Sequence, residues 1–300
     1  MQCFTTSLAC LRASLSGEWT LISIGGGSIL LAAQRMLDMN SRLVAMSLER
    51  LATGRRINRG SDDPAGLIAS ENLLAALSSL EAQARSLGRS DHVAAVAEGG
   101  LAGTSDLLIE ANGLAITAAN TAGLSEGEKQ AIQGQLDSML ATIDSTASNT
   151  TFNGDPLLDG TAMITAGNAT LSLPNAATSN LGETVVDGVT YTLADLKSGG
   201  SLNFVDGDVS IAQQVIQNSL TEVSTARAAI GSFQKYSVGS RLSTLETTIE
   251  NLSAANSLIR DTDYAFETAL LSRSMVLQQA SMLSFGLMLG NQASILQLIG

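Results

Sequence analysis

Apolar residues recur along much of this chain in alternating steps of four and three, the spacing that gathers them on one face of a helix. Leu73, Leu77, Leu80, Ala84 and Leu87 form one such stripe. Leu107, Ala111, Leu114 and Ala118 form a second, and Ile132, Leu136, Met139 and Ile143 a third. Further on, Ile216, Leu220, Val223 and Ile230 lead towards Phe233, and Leu242, Leu245, Ile249 and Leu252 give the most regular stripe of all. The only prolines are Pro64, Pro156 and Pro174, so no interior breaker interrupts the chain from 65 to 155 or after 174. No single stripe is long enough for a lone two-stranded coiled coil, so the helices must pack on one another. The pattern predicts a mainly α fold: an elongated antiparallel helical bundle or coiled coil built from the N- and C-terminal segments. Leu242, Leu245, Ile249 and Leu252 are its expected intramolecular seam.

Between roughly Thr151 and Asp208 the period changes. Phe152-Asn153-Gly154-Asp155-Pro156 is dense in turn formers, and Ala169-Thr170-Leu171-Ser172-Leu173 alternates with period two. Val185-Val186-Asp187-Gly188-Val189-Thr190-Tyr191 reads as two short strands across an Asp-Gly turn. The centre is therefore expected to be a small β-hairpin region, too short for a large independent domain. The helices on either side of it should run back alongside each other.

The C-terminal end carries no charge from Met275 to Gly300. Gln278, Gln279, Asn291, Gln292 and Gln297 interrupt it, and no basic cluster follows, which fits a helix hidden against protein better than a membrane span. Trp19 to Gln34 is also uncharged, too short to cross a bilayer and broken by Gly25-Gly26-Gly27. Ends of this kind are expected to be disordered in an isolated subunit and to order on association.

Composition narrows the chemistry. Apolar residues make up 45% and aromatic residues 3%, which suits thin seams between helices rather than a thick core. A net charge of -12 repels phosphate backbones and argues against nucleic acid as a partner. His92 is the only histidine, and Cys3 and Cys10 the only cysteines, so a zinc or copper site has few ligands. No nucleophile–base pair and no cofactor fingerprint stands out, and the chain is expected to be neither an enzyme nor a cofactor binder. Asp62 and Asp63, just before Pro64, are expected to cap a helix rather than to act as an acid–base pair. Asp261 and Asp263 lack the glycine-containing loop and closing glutamate of a calcium site. Arg55, Arg56 and Arg59 form a small basic patch, either a solvated face or a contact between subunits.

Both ends carry longer motifs. Ser47-Leu48-Glu49-Arg50-Leu51-Ala52-Thr53-Gly54-Arg55-Arg56-Ile57-Asn58 is followed by Ser61-Asp62-Asp63-Pro64-Ala65-Gly66-Leu67. Near the other end stand Ser257-Leu258-Ile259-Arg260-Asp261-Thr262-Asp263-Tyr264-Ala265, then Leu277-Gln278-Gln279-Ala280 and Asn291-Gln292. With Phe152-Asn153-Gly154 between them, these blocks resemble bacterial flagellin in order and spacing, over roughly Ile22 to Asp155 and Val209 to Gly300.

The resemblance implies a secreted structural subunit that polymerises with itself into the extracellular flagellar filament. Expected partners are further copies, the flagellar export apparatus, a flagellin chaperone, the filament cap and the hook-junction proteins, without membrane insertion. It implies an assembly interface of Leu48, Leu51, Arg55, Arg56, Ile57, Asp261, Asp263, Tyr264, Leu277, Gln278 and Gln279. The expected organisation begins with a non-native or disordered extension over 1–20, translation starting near Leu21. An N-terminal inner-core helix and connector follow over 21–62, and the first part of a helical rod over 63–155. The small β-rich variable region takes 156–208, the second part of the rod 209–256, and the C-terminal inner-core helix 257–300. A hook–filament junction protein, or a secreted coiled-coil protein that never polymerises, are the alternatives. Glu110 and Asn112 stand where many flagellins carry arginines read by an animal receptor, which puts recognition through that stretch in doubt.

Overall fold

The computed structural model describes residues 6–119, 123 and 125–299, with side-chain surroundings for those between 29 and 290. Helix α1 (Thr6–Thr53) takes in most of the expected N-terminal extension; residues 1–5 lie outside the described residues. Its backbone continues through Gly25-Gly26-Gly27, where the sequence predicts a break. α1 stops at Gly54, whose φ of +69° lies in the left-handed region that closes helices at glycine. A β-carbon there would stand 2.8 Å from the Tyr264 hydroxyl, so two constraints select glycine at this point.

The later helices have readable starts. α2 (Pro64–Ala119) opens with proline in its first position, and Asp63 accepts a hydrogen bond from Gly66 N at 2.9 Å. α3 (Glu126–Asn149) begins with a reciprocal capping box between Ser125 and Glu128. Asp208 caps α4 (Val209–Ser232), which passes through a π-helical segment, Phe233–Gly239, into α5 (Ser240–Arg260). Asp263 caps α6 (Tyr264–Ile299), accepting from Ala265 N and Phe266 N.

Three antiparallel hairpins lie between α3 and α4: β1 (Thr151–Phe152) with β2 (Asp155–Pro156), β3 (Met163–Ala166) with β4 (Ala169–Ser172), and β5 (Thr184–Val186) with β6 (Val189–Tyr191). Asn153-Gly154 and Asp187-Gly188 both have positive φ at the two turn positions, the geometry that matches the twist of paired strands. The structure is mainly helical with these short strand pairs at its centre, as the periodicities require.

Two compact units divide the chain: Met1–Ala75 with Leu252–Gly300, here the terminal unit, and Ala76–Asn251, the central unit. Within the central unit, Leu101 and Leu108 of α2, Leu136, Leu140 and Ile143 of α3, and Ile216 and Ile230 of α4 are fully buried in one cluster. Leu158, Leu173, Leu193 and Leu196 from the hairpin region join the same cluster, so the centre shares the helices' core. Gln133 fastens the two together: its amide donates to Leu196 O at 2.8 Å and accepts from Phe204 N at 2.7 Å. Asp144 accepts from Lys197 Nζ at 2.6 Å and from Thr178 N at 2.8 Å, and Asp137 accepts from Ser198 N and Oγ. Partial burial pushes both carboxyls up, but these hydrogen bonds and the Lys197 charge outweigh it, and both lie below the usual aspartate range. Arg227 of α4 pairs with Glu98 of α2 at 3.0 Å, so helices from the two halves of the sequence do lie side by side.

The expected seam is looser than the periodicity implies. Leu242, Leu245, Ile249 and Leu252 are all half-buried, and α5 has no fully buried residue. Regular spacing identifies the face that turns inward; it does not say how much will cover that face.

Candidate assembly surface

In the terminal unit, the chain between α1 and α2 folds against the chain between α5 and α6. Thr262 N donates to Gly54 O at 2.9 Å, Arg56 N donates to Arg260 O at 2.7 Å, and Arg55 bridges Asp261 between them. Arg56 Nη2 also reaches Ile259 O at 2.6 Å, and Arg50 Nε donates to Arg56 O at 3.1 Å. Asp62 accepts from Arg59 N and Asn58 N, and these backbone donors hold its carboxyl below its usual value. Arg59 pairs with Glu49 at 3.0 Å, and Arg260 with Glu71 at 3.2 Å. The result is a clasp that brings the end of α1 and the start of α6 together in antiparallel sense.

The residues expected to form an interface separate into two groups. Arg56, Asp261, Asp263 and Gln278 are engaged within the chain: Asp261 accepts from Ser257 Oγ, Asp263 caps α6, and Gln278 donates to Ser41 Oγ of α1 at 3.0 Å. Ile57 departs furthest from expectation. It is 1% exposed, packed at the start of α2, so in this fold it anchors the connector and offers no outer surface. Leu51 is half-buried, and the Arg55 and Gln279 side chains are exposed. Leu48, Tyr264 and Leu277 do face outwards.

They belong to a much larger apolar surface. Ile29, Leu31, Met36 and Met39 of α1 are exposed, as are Phe266, Met275, Val276, Met282, Leu283, Leu287 and Leu289 of α6. Leu283 and Leu287 are 71% and 72% exposed. On α6 these side chains spread over the faces not turned to α1 rather than forming one stripe. A helix that exposes this much apolar surface is stable only inside a larger body of protein or in a membrane. Among the described residues no helix is long and apolar enough to cross a membrane. α1 and α6 are nonetheless helical and paired within one chain, where the sequence predicts disorder for an isolated subunit.

Two family descriptions match this architecture at its two ends. The bacterial flagellin N-terminal helical region matches residues 28–163, and the bacterial flagellin C-terminal helical region matches residues 213–299. The chain belongs to the bacterial flagellin family. It is a structural subunit that polymerises with further copies into the flagellar filament for swimming motility. Among its relatives, flagellin of Bacillus subtilis strain 168 is 28% identical over 271 residues, covering 82% of this chain and 89% of the relative. The flagellar filament 30.7 kDa core protein of Treponema maltophilum is 29% identical over 266 residues, covering 83% and 90%. The crystal structure of Bacillus cereus flagellin aligns with a TM-score of 0.39 at 20% identity, over 62% of this chain and 93% of that one.

Several residues of the flagellin terminal unit escape the stripe analysis. Asn40, Ser47, Glu267 and Ser274 are buried although polar, and Ser281 accepts from Asn40 Nδ2 at 2.8 Å. A search for apolar periodicity passes over them. Their own seven-residue spacing, Asn40 to Ser47 and Glu267 to Ser274 to Ser281, is the signal that would have found them.

Proposed function

We propose that the outward faces of α1 and α6 are the surfaces through which copies of this subunit pack, so that the terminal unit becomes the inner part of the polymer. The observation that carries this reading is the set of exposed Leu, Met and Val side chains on the faces of α6 not turned to α1. Burying one such side chain contributes about 1.5–3 kcal/mol, and the gain is released only when a neighbour covers it. A contact that repeats between unlike faces generates an open helical polymer rather than a closed ring. Leu48, Tyr264, Leu277 and Gln279 then touch neighbouring copies, while Arg56, Asp261 and Asp263 shape the clasp and Gln278 ties α6 to α1 behind them. The subunit acts by packing and catalyses no reaction.

The same surface explains the remaining partners. A subunit with this much exposed apolar area needs cover before export, which fits a dedicated flagellin chaperone on α6. Passage through the flagellar export apparatus and contact with the filament cap and hook-junction proteins complete the path to a filament outside the cell. Deleting residues 275–300 is the direct test. The expected product is a folded, helical subunit that forms no filaments; filaments from the truncated protein, seen by electron microscopy, would refute the reading.

A further inference from the structure

The interface between α1 and α6 encloses polar groups where a soluble helix pair would carry apolar ones throughout. They alternate with half-buried Leu37, Val44 and Leu51 on α1 and Leu271, Phe285 and Met288 on α6, while other large apolar side chains of both helices point outwards. Asn40, Ser47, Glu267 and Ser274 are each more than nine-tenths buried. On α1, Asn40 and Ser47 are seven residues apart; on α6, Glu267, Ser274 and Ser281 follow at the same interval. Seven residues are two turns of a supercoiled helix, so each set occupies one line facing the partner helix. Three polar contacts cross the seam at a consistent antiparallel offset. Asn40 Nδ2 donates to Ser281 Oγ at 2.8 Å, Gln278 Nε2 donates to Ser41 Oγ at 3.0 Å, and Arg50 pairs with Glu267 at 3.6 Å.

Tightness does not explain this arrangement. Ser47 Oγ and Glu267 Oε1 are buried and have no hydrogen-bond partner among the described residues, and each such group costs stability. Leucine at those positions would pack better. What buried polar groups supply instead is discrimination. An apolar seam slides by one heptad with little penalty, whereas the slip that sets Ser41 against Phe285 places Asn40 opposite Met288 and carries Glu267 away from Arg50. We infer that the polar line Asn40, Ser47, Glu267, Ser274 and Ser281 fixes the axial register of α6 on α1. That register decides where the outward side chains of the two helices stand relative to each other, and so which composite surface a neighbouring copy meets. The inference rests on the proposed role of that outward surface in assembly.

The test uses the full chain with Cys3→Ser and Cys10→Ser, and two reporter pairs. Ser41→Cys with Gln278→Cys forms a disulfide in the observed register, and Ser41→Cys with Phe285→Cys forms one only after a slip of one heptad. Each pair is placed in the parent and in a variant carrying Asn40→Leu, Ser47→Ala, Ser274→Ala and Ser281→Leu. Each protein is copolymerised as a minor component with parent subunits, and disulfides are measured by mass spectrometry in filament and soluble fractions. Circular dichroism checks that helix content is kept.

The parent should favour the observed-register disulfide by about tenfold or more, a preference worth ~1.4 kcal/mol per factor of ten. In the variant that preference should fall to near parity in whichever fraction the protein is recovered. A variant that keeps the parent's preference overturns the inference. If such a variant is also excluded from filaments, the assembly reading stands while the register role falls. Slipped disulfides inside normal filaments would uphold the register role and count against the assembly reading.

Discussion

The central and terminal units are both helical, yet they treat apolar side chains in opposite ways. In the central unit, Leu101, Leu108, Leu136, Leu140, Ile143, Leu193, Leu196, Ile216 and Ile230 are fully enclosed, and the hairpin region packs into the same cluster. In the terminal unit, Ile57 is the one large apolar residue enclosed to that degree among the described residues, while Leu258, Phe266, Leu283 and Leu287 stand open. The central unit has a folding core; in the proposed reading, the terminal unit presents the outside of a core whose other half belongs to other copies. On that reading, stability in the first is a property of one chain, and stability in the second depends on concentration.

The largest effect expected from breaking this contrast is in the central core. Leu140→Ala and Ile143→Ala should each cost about 2–5 kcal/mol, the usual range for truncating an enclosed side chain. Denaturant unfolding of the subunit truncated before residue 275 measures this without interference from polymerisation. Leu283→Ala with Leu287→Ala should do the reverse in the full chain. Subunit stability should stay within about 0.5 kcal/mol, as for exposed sites, while the critical concentration for assembly rises more than tenfold. Unchanged assembly would show that these side chains face solvent in the filament.

Leu245→Ala with Ile249→Ala tests the intermediate case. Both positions are half-buried, so the loss should fall below the ~2–5 kcal/mol per site of a fully enclosed residue. The smallest effect is that of acid on the contacts joining hairpins to helices. The Asp137 and Asp144 carboxyls lie below their ordinary value of 3.8 in the folded chain, so the unfolded chain binds protons first as pH falls. Stability from these groups is therefore complete above that value and lost as pH drops through the lower, folded one. Asp144→Asn should flatten the slope of central-unit stability below pH 3.8, and an unchanged acid titration of unfolding would contradict the role given to Lys197 and Thr178.

Much of the central unit is legible in the sequence because its elements obey one rule at a time. Ile132, Leu136 and Ile143 sit on a clean helical period and turn inwards, and Asp187-Gly188 names its own turn. Pro64 after Asp63 marks a helix start that the structure reproduces. The terminal unit is harder to read, because apolar residues around all of α6 leave no preferred face and the residues that define one are polar. Ile57 shows the same difficulty at one position: the motif around it identifies the family, but only the fold shows that Gly66 leaves room for it beneath the connector. Gln133 is a further case, since nothing local distinguishes a glutamine that ties two regions together from one that faces water.

Hydrogen–deuterium exchange on the soluble subunit and on intact filaments tests the central contrast most directly. Backbone amides of residues 132–147 should be strongly protected in both forms, because one chain completes that core. Amides of residues 275–290 should exchange rapidly in the soluble subunit and slow by orders of magnitude in the filament. Equal protection of residues 275–290 in the two forms would mean that the terminal helix pair is complete by itself, and would contradict the account.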